Sequence, residues 1–222
     1  MLRDAALVAG KDLRLEVRSR VALNQVAPFA LLVLMLFAFA LDPDRGILAR
    51  VTPGLYWVAV LFSGLLAVQR AFAVESTDGV ADALRLSGLD PAGIFLGKVA
   101  AVAVQLLALE LLLGIGVVVL YGTEVSGIAL LVPTCLAATL GLAAAGSVYG
   151  ILSAGLRVRE TLLPLLLLPV LAPLLIAATS AFESALGGAP GEGWRWLGLL
   201  VVFAALYTGL GLVTFGTLLE EG

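Results

Sequence analysis

The 222-residue sequence contains no histidine, a single cysteine (Cys135) and two methionines. Histidine is the commonest metal ligand in proteins and the usual general base in catalysis, so its absence excludes most metalloenzymes and most hydrolases. One cysteine cannot form an intrachain disulfide or a paired thiolate site. The sequence therefore offers no nucleophile–base pair and no metal-ligand cluster, and we expect no catalytic or metal site in this chain.

Charged residues are also scarce, at 13% of the chain, whereas average soluble domains contain about 25%. Hydrophobic residues make up 61% of the sequence, and the mean hydropathy is +1.11. This much apolar surface cannot be hidden inside one soluble domain of this length. The composition predicts an all-α integral membrane protein, and with a net charge of −3 and no basic cluster we expect no binding to nucleic acid.

Long apolar blocks divide the chain into six predicted spans, which leave no separate soluble domain within residues 1–222. Each block is long enough to cross a hydrocarbon core of roughly 30 Å at about 1.5 Å per residue. The spans are predicted near residues 21–41, 53–74, 96–121, 126–153, 161–182 and 194–219.

The segment before the first span, residues 1–20, is charged and amphipathic. Its apolar residues recur at three- and four-residue steps, while Lys11, Arg14 and Arg18 lie on another face. This pattern predicts a helix in the membrane interface, with its cations near anionic headgroups; a plain charged tail is the alternative.

Basic residues predict the orientation of the spans. If the N-terminus is inside, ten of the 13 Lys and Arg residues fall on the inner side, and only Arg45, Arg50 and Arg195 fall outside. The positive-inside rule then places both termini in the cytoplasm. The predicted outer ends of the spans also carry aromatic residues of the kind found in interfacial belts: Tyr56, Trp57, Tyr121, Trp194 and Trp196.

Residues 69–98 form a charged segment between the second and third spans. Ser76, Thr77 or Asp78 can cap a short helix, which Gly88 and Pro91 would end. We predict a cytoplasmic segment over residues 75–92, with a short amphipathic helix near 78–89 that docks on a partner. A solvated linker is the alternative. Lys98 marks the return to the membrane, and its ammonium group is expected to reach the inner interface.

Several parts of the sequence, in this order, resemble the haem exporter protein B (CcmB) family over nearly the whole chain. The similar parts are ARVTPG at 49–54, WVA at 57–59, LLA at 65–67 with Arg70 and Phe72, Asp78-Gly79 with Leu84 and Leu86, GKV at 97–99, and the proline-punctuated run at 162–178. The resemblance implies a membrane subunit of the cytochrome c maturation ABC transporter, with an ABC-2 or type V exporter-like transmembrane domain in the bacterial inner membrane.

The same resemblance implies partners and roles. A homodimer of this subunit would pair with the ATP-binding subunit CcmA and associate with CcmC, CcmD and a haem chaperone. ATP would bind in the partner, and the complex would handle haem, which this chain has no histidine to ligate. The segment near 78–89 would be the coupling helix. Its docking residues would be Glu75, Asp78, Gly79, Leu84, Leu86 and Leu89.

Two further features inside the spans are functional candidates. Glu110 lies deep in the third span, where a lipid-facing carboxylate would cost about 2.5 kcal/mol or more, so it should face another helix or carry a proton. A functional site and a structural hydrogen bond are equally compatible with it. Pro164, Pro169 and Pro173 each remove a backbone donor from the fifth span, which we expect to be bent or locally unwound and to serve as a hinge.

Three classes of function fit these features unequally. A permease subunit that couples ATP hydrolysis in a partner to haem export, or to release of a haem–chaperone adduct, fits best, because the sequence has no Walker A motif of its own. A non-haem ABC-2 exporter subunit and a passive scaffold for haem-handling partners remain as alternatives. An intramembrane enzyme fits poorly.

Overall fold

The computed structural model describes residues 1–20, 22–41, 45–73, 88–123, 127–154, 159–187 and 190–221. Throughout these ranges, every regular element is helical. In chain order the helices are α1 (Leu2–Ser19), a π-helical turn (Ala22–Val26) that continues into α2 (Ala27–Leu41), α3 (Arg45–Ala73), α4 (Pro91–Tyr121), α5 (Ile128–Ala154), α6 (Arg159–Leu186) and α7 (Pro190–Glu221).

Six of these helical stretches are long and apolar enough to cross a membrane, so the predicted all-α polytopic fold with six spans is confirmed. Large apolar side chains point away from the bundle on several of them: Phe39, Val119 and Val213 are 77%, 73% and 81% exposed. A water-soluble protein would not expose so many such side chains together. Lipid is the solvent that this surface requires.

Helix α5 lies at the centre of the bundle, where it contacts α3, α4, α6 and α7. Its small residues make close packing possible. A Cβ added at Gly146 would lie 2.5 Å from Val68 of α3, and one at Gly150 would lie 2.4 Å from the Phe72 ring. Helices in membranes associate largely through such close contacts between small residues. The sequence pattern of small residues in this span therefore reflects packing.

Several helix ends differ from the sequence-based boundaries. Helix α3 already begins at Arg45, and α4 begins at Pro91, so the last two residues of the predicted 75–92 segment belong to α4. The Asp90 side chain accepts a hydrogen bond from the Ala92 backbone N–H, and Pro91 occupies the first turn, where its missing N–H costs nothing. Helix α6 extends to Leu186 and α7 already begins at Pro190, so both helices continue beyond the predicted span limits at residues 182 and 194.

The prediction that Tyr56 and Trp57 lie in an interfacial belt is wrong. Tyr56 and Trp57 are only 2% and 1% exposed. Tyr56 stacks on Phe182 of α6 at 4.7 Å between ring centroids, and Trp57 packs edge-on against the same ring at 6.1 Å. Because α3 starts well before residue 53, these rings lie inside the bundle. Trp194 is 51% exposed, as a belt residue would be.

Of the bending or local unwinding expected for the proline-rich span, the structure shows no unwinding, because α6 is helical without interruption from Arg159 to Leu186. Pro169 and Pro173 are exposed and Pro164 is half-buried, so the proline rings lie mainly on the outer side of the helix. Leu163, Leu167, Leu171 and Leu174 pack inward. This inner face anchors the helix despite the missing backbone donors.

Candidate functional site

The predicted docking residues Glu75, Asp78, Gly79, Leu84 and Leu86 lie outside the described residues. The sixth, Leu89, is half-buried and packs against the chain's own hydrophobic core. The structure does describe both borders of this segment, where α3 ends at Ala73 and α4 begins at Pro91. These borders, together with α1, form the first candidate site, which we call the α1 end of the bundle.

Helix α1 lies directly against the first turns of α4. Two glycines allow the approach: a Cβ at Gly93 would lie 2.8 Å from the Met1 carbonyl oxygen, and one at Gly97 would lie 2.6 Å from the Val8 Cβ. Val8 itself is only 3% exposed. Because the two glycines are four residues apart, they face the same side of α4 and form a groove for α1.

Lys98 is the next residue after Gly97 in the sequence. The prediction that its ammonium group lies at the membrane surface is wrong. The side chain is 0% exposed, and its Nζ lies 3.2 Å from Asp12 Oδ2 of α1. The same ammonium group donates a hydrogen bond of 2.9 Å to the Ala71 carbonyl oxygen of α3 and lies 4.8 Å from the centre of the Phe72 ring. The groove glycines bring α1 close enough to supply a counterion, so the charge stays inside the protein.

A second ion pair joins α1 to the end of α3. Arg70 Nη1 lies 3.1 Å from Glu16 Oε1, and Nη2 donates a hydrogen bond of 3.0 Å to the Ser19 hydroxyl oxygen. The Arg70 and Glu16 side chains are 29% and 14% exposed, so this pair lies nearer to water than the Lys98–Asp12 pair and should be weaker. It nevertheless fixes the last turn of α1 against the last turn of α3.

The first turn of α1 contacts the start of α4. The Asp90 backbone N–H donates to Asp4 Oδ2 at 3.4 Å, and the Met1 amino group lies 3.1 Å from Asp4 Oδ2 and 3.5 Å from Asp90 Oδ2. The hydrogen bond with Asp4, opposed by slight burial, raises the pKa of the Met1 amino group. The same hydrogen bond, followed by that from Asp90, lowers the pKa of Asp4.

Sequence analysis missed the acidic side of α1, although a signal was present. Asp4, Asp12 and Glu16 are separated by multiples of four residues, with Val8 between the first two. Residues at this spacing share one helix face. An acidic stripe beside a buried valine indicates a helix that contacts protein with this face.

The second candidate site surrounds Glu110, in the middle of the bundle. Glu110 is 4% exposed, and its Oε1 accepts a hydrogen bond from the Thr139 hydroxyl of α5. Tyr56 of α3 donates to the Glu110 backbone carbonyl at 3.1 Å, and the Cys135 Sγ lies 3.9 Å from the Tyr56 hydroxyl. Within the described ranges, Glu110 Oε2 has no hydrogen-bond partner. The expectation that Glu110 faces another helix is confirmed.

A cavity of about 490 Å³ lies beside this cluster, between α4, α5 and α6. Its polar lining residues are Tyr56, Glu110, Cys135 and Thr123, and aliphatic side chains such as Leu111 and Val132 form most of the wall. Among the described residues, no group of three or more Asp, Glu, Cys or His could hold a metal ion. The cavity therefore suits an apolar molecule that tolerates a nearby carboxyl group.

Comparisons with known proteins agree with this architecture. The family described as CcmB protein matches residues 4–218. The chain is 34% identical over 175 residues to heme exporter protein B of Haemophilus influenzae, covering 79% of each chain. It is 32% identical over 205 residues to heme exporter protein B of Pseudomonas aeruginosa, covering 91% of this chain and 92% of the relative. It is 34% identical over 200 residues to heme exporter protein B of Escherichia coli K12, covering 89% and 88%. This chain belongs to the CcmB protein family.

Proposed function

We propose that this protein is the membrane permease subunit of an ABC-type haem exporter in the bacterial inner membrane. Its relatives of similar length bear the name heme exporter protein B, and six apolar helices support a multi-pass membrane subunit. Full-length similarity to these relatives is the observation that carries the proposal. ATP hydrolysis belongs to a separate subunit, since the sequence has no phosphate-binding loop of the G-x-x-x-x-G-K-[ST] type.

We infer that the α1 end of the bundle faces the cytoplasm. Most basic residues fall on this side of the predicted topology, and α1 itself holds Arg14 and Arg18 in exposed positions. Exposed Leu7 and Leu15 lie on the same helix, as suits a segment in contact with lipid headgroups. Both termini would then be cytoplasmic. Labelling of single cysteines placed at Arg3 and at Thr123 from either side of the membrane tests this orientation.

The connection between α3 and α4 is the proposed docking element for the ATP-binding subunit, CcmA. Its two described borders, the end of α3 and the start of α4, lie where α1, α3 and α4 are tied together, so force applied through them reaches three helices. Glu75, Asp78, Gly79, Leu84 and Leu86 are the docking candidates. Leu89 contacts the bundle core and would connect the element to the helices.

Co-purification tests the docking proposal. Leu84→Asp with Leu86→Asp should abolish retention of the ATP-binding subunit, because two charges would replace the apolar docking side. The matched control introduces the same two aspartates at Leu7 and Leu15, which are 56% and 43% exposed on α1. Equal retention by all three proteins would disprove docking through residues 84–86.

Haem itself is the proposed substrate of the complex. CcmC, CcmD and a haem chaperone are the proposed further partners. The intramembrane cavity suits haem poorly, because the chain contains no histidine to ligate the iron and the Glu110 carboxyl group would repel a haem propionate placed beside it. We therefore favour ATP-driven release of a haem–chaperone adduct over passage of haem through this chain. Reconstituted complex that hydrolyses ATP without releasing the adduct would contradict this function and favour a non-haem exporter or a scaffold.

The proline-rich helix α6 is the proposed moving element. Its three prolines leave backbone carbonyls without intrahelical donors, so this helix bends at lower cost than its neighbours. Pro169→Ala with Pro173→Ala should reduce adduct release per ATP hydrolysed while leaving complex assembly intact. Pro53→Ala in α3 is the matched control for removal of a helix-interior proline. Unchanged release in the double variant would exclude α6 as a hinge.

A further inference from the structure

The buried ion pair between Lys98 and Asp12 lies next to the borders of residues 74–87. On the proposed function, the ATP-binding subunit would apply force to that segment. Lys98 is 0% exposed and the Asp12 side chain 10% exposed, so both charges have left water. Removing two charges from water costs several kcal/mol per ion unless geometry and further hydrogen bonds compensate. A position that requires only packing would be filled more cheaply by an apolar residue.

Lys98 contacts three helices at once. It belongs to α4, pairs with Asp12 of α1 and donates to the Ala71 carbonyl of α3 at 2.9 Å. Ala71 lies in the last turn of α3, whose carbonyls lack partners within the helix. The ammonium group therefore caps α3 while it holds α1. No aliphatic side chain could perform both contacts.

Two further polar contacts attach α1 to both borders of residues 74–87. The Asp4 carboxylate accepts a hydrogen bond from the Asp90 backbone N–H just before α4. Glu16 forms an ion pair with Arg70 just before the end of α3. Helix α1 thus spans the two points at which the cytoplasmic connection joins the bundle. A push on that connection can tilt α3 and α4 together only if these points cannot separate.

We propose that Lys98 and Asp12 are positioning residues that hold the end of α3, the start of α4 and helix α1 as one rigid unit. The unit transmits force from the proposed ATP-binding partner to the membrane helices. The role of this unit in transport rests on the proposed permease function. Its rigidity is a property of this chain alone and is tested separately.

Hydrogen exchange tests the rigid unit without any partner. In lipid nanodiscs, Asp12→Asn and Lys98→Met should speed amide exchange of α1 and of the last turn of α3 by on the order of 100-fold, since each removes the buried ion pair that joins α1 to α4. Glu16→Gln breaks the more exposed ion pair with Arg70 and should change exchange by about 5-fold or less. Exchange of α1 at the wild-type rate in Asp12→Asn would overturn the proposal, even if Lys98→Met fails to fold.

A transport assay with the ATP-binding subunit tests the consequence. At equal complex assembly, Asp12→Asn should continue to hydrolyse ATP while adduct release per ATP falls by roughly 5-fold or more. A residue with only a structural role would lower the amount of complex and leave this ratio unchanged, and that result would overturn the positioning role. Failure of the wild-type complex to release the adduct would instead refute the proposed function, and the exchange experiment would still decide whether the unit is rigid.

Discussion

Lys98 and Glu110 lie on the same helix, about three turns apart, and their side chains have different polar surroundings. Lys98 has a carboxylate, a carbonyl oxygen and an aromatic ring around one ammonium group. Glu110 has one hydroxyl donor for two carboxyl oxygens, and no ion pair to it occurs in the described part of the chain. The first site is built to hold a charge, whereas the second needs only a hydrogen-bond acceptor.

The largest effect should come from removing the counterion of the charged site. Asp12→Ala removes the Asp12 carboxylate from the buried Lys98 ammonium group, and breaking a buried pair in this way costs about 3–5 kcal/mol. Thermal unfolding in detergent should show a large loss relative to wild type. Glu16→Ala, at the more exposed ion pair with Arg70, should cost about 1 kcal/mol or less. Equal losses of stability in the two variants would mean that the buried Lys98–Asp12 pair stabilises the protein no more than the Arg70–Glu16 pair.

A smaller effect should follow from disturbing the packing that links the two regions. Phe72 contacts the Lys98 ammonium group on one side and the Gly150 backbone of α5 on the other. In Gly150→Ala the new Cβ would lie 2.4 Å from the Phe72 ring, so the ring must move, at about 1–3 kcal/mol. Gly114→Ala is the control, because a Cβ there meets nothing within 4 Å. Unfolding of both variants at the wild-type temperature would contradict this tight contact.

Replacing the Glu110 carboxyl group by an amide should have a still smaller effect. Glu110→Gln keeps an oxygen that accepts from the Thr139 hydroxyl, so we expect a change in unfolding free energy of about 1 kcal/mol or less. Glu110→Leu removes the acceptor, leaves Thr139 unsatisfied and should cost about 1–3 kcal/mol. A loss in Glu110→Gln as large as in Asp12→Ala would show that Glu110 must be charged, and the contrast between the two sites would fail.

The smallest effect should appear at the exposed first turn of α1, where pH changes the charges. The Met1 amino pKa is raised above 8.0, so its contribution is present below pH 8.0 and is lost as pH rises through the raised value. The Asp4 pKa is lowered below 3.8, so its contribution is present above pH 3.8 and is lost as pH falls through the lowered value. Asp90 and Arg3 are the other charges that influence this pair.

Melting temperatures of wild type and Asp4→Asn, measured across this range, test the sign of the effect. Their difference should be greatest near neutral pH and shrink in both directions. A difference that grows above pH 8.0 would show that the amino group does not stabilise α1 through Asp4.

Sequence reasoning succeeded where a single helix supplies the signal. Span number, the helix at the N-terminus and the burial of Glu110 follow from apolar length, amphipathic spacing and the cost of a charge in lipid. It failed where the position of a side chain depends on its contacts with a second helix. Tyr56 and Trp57 looked like interfacial residues until α6 placed Phe182 against them. Lys98 looked like a surface anchor until α1 brought Asp12 to it.

By itself, the sequence determined that this chain crosses the membrane six times, lacks metal-binding histidines and resembles the CcmB family, because composition, apolar length and ordered motifs do not depend on how helices meet. Only the tertiary structure decided which charges are buried and paired. Gly93 and Gly97 bring α1 within contact distance of α4, and that approach converts separate charges at positions 12 and 98 into one ion pair. Burial of a charge depends on its neighbours in space, and no local pattern encodes them.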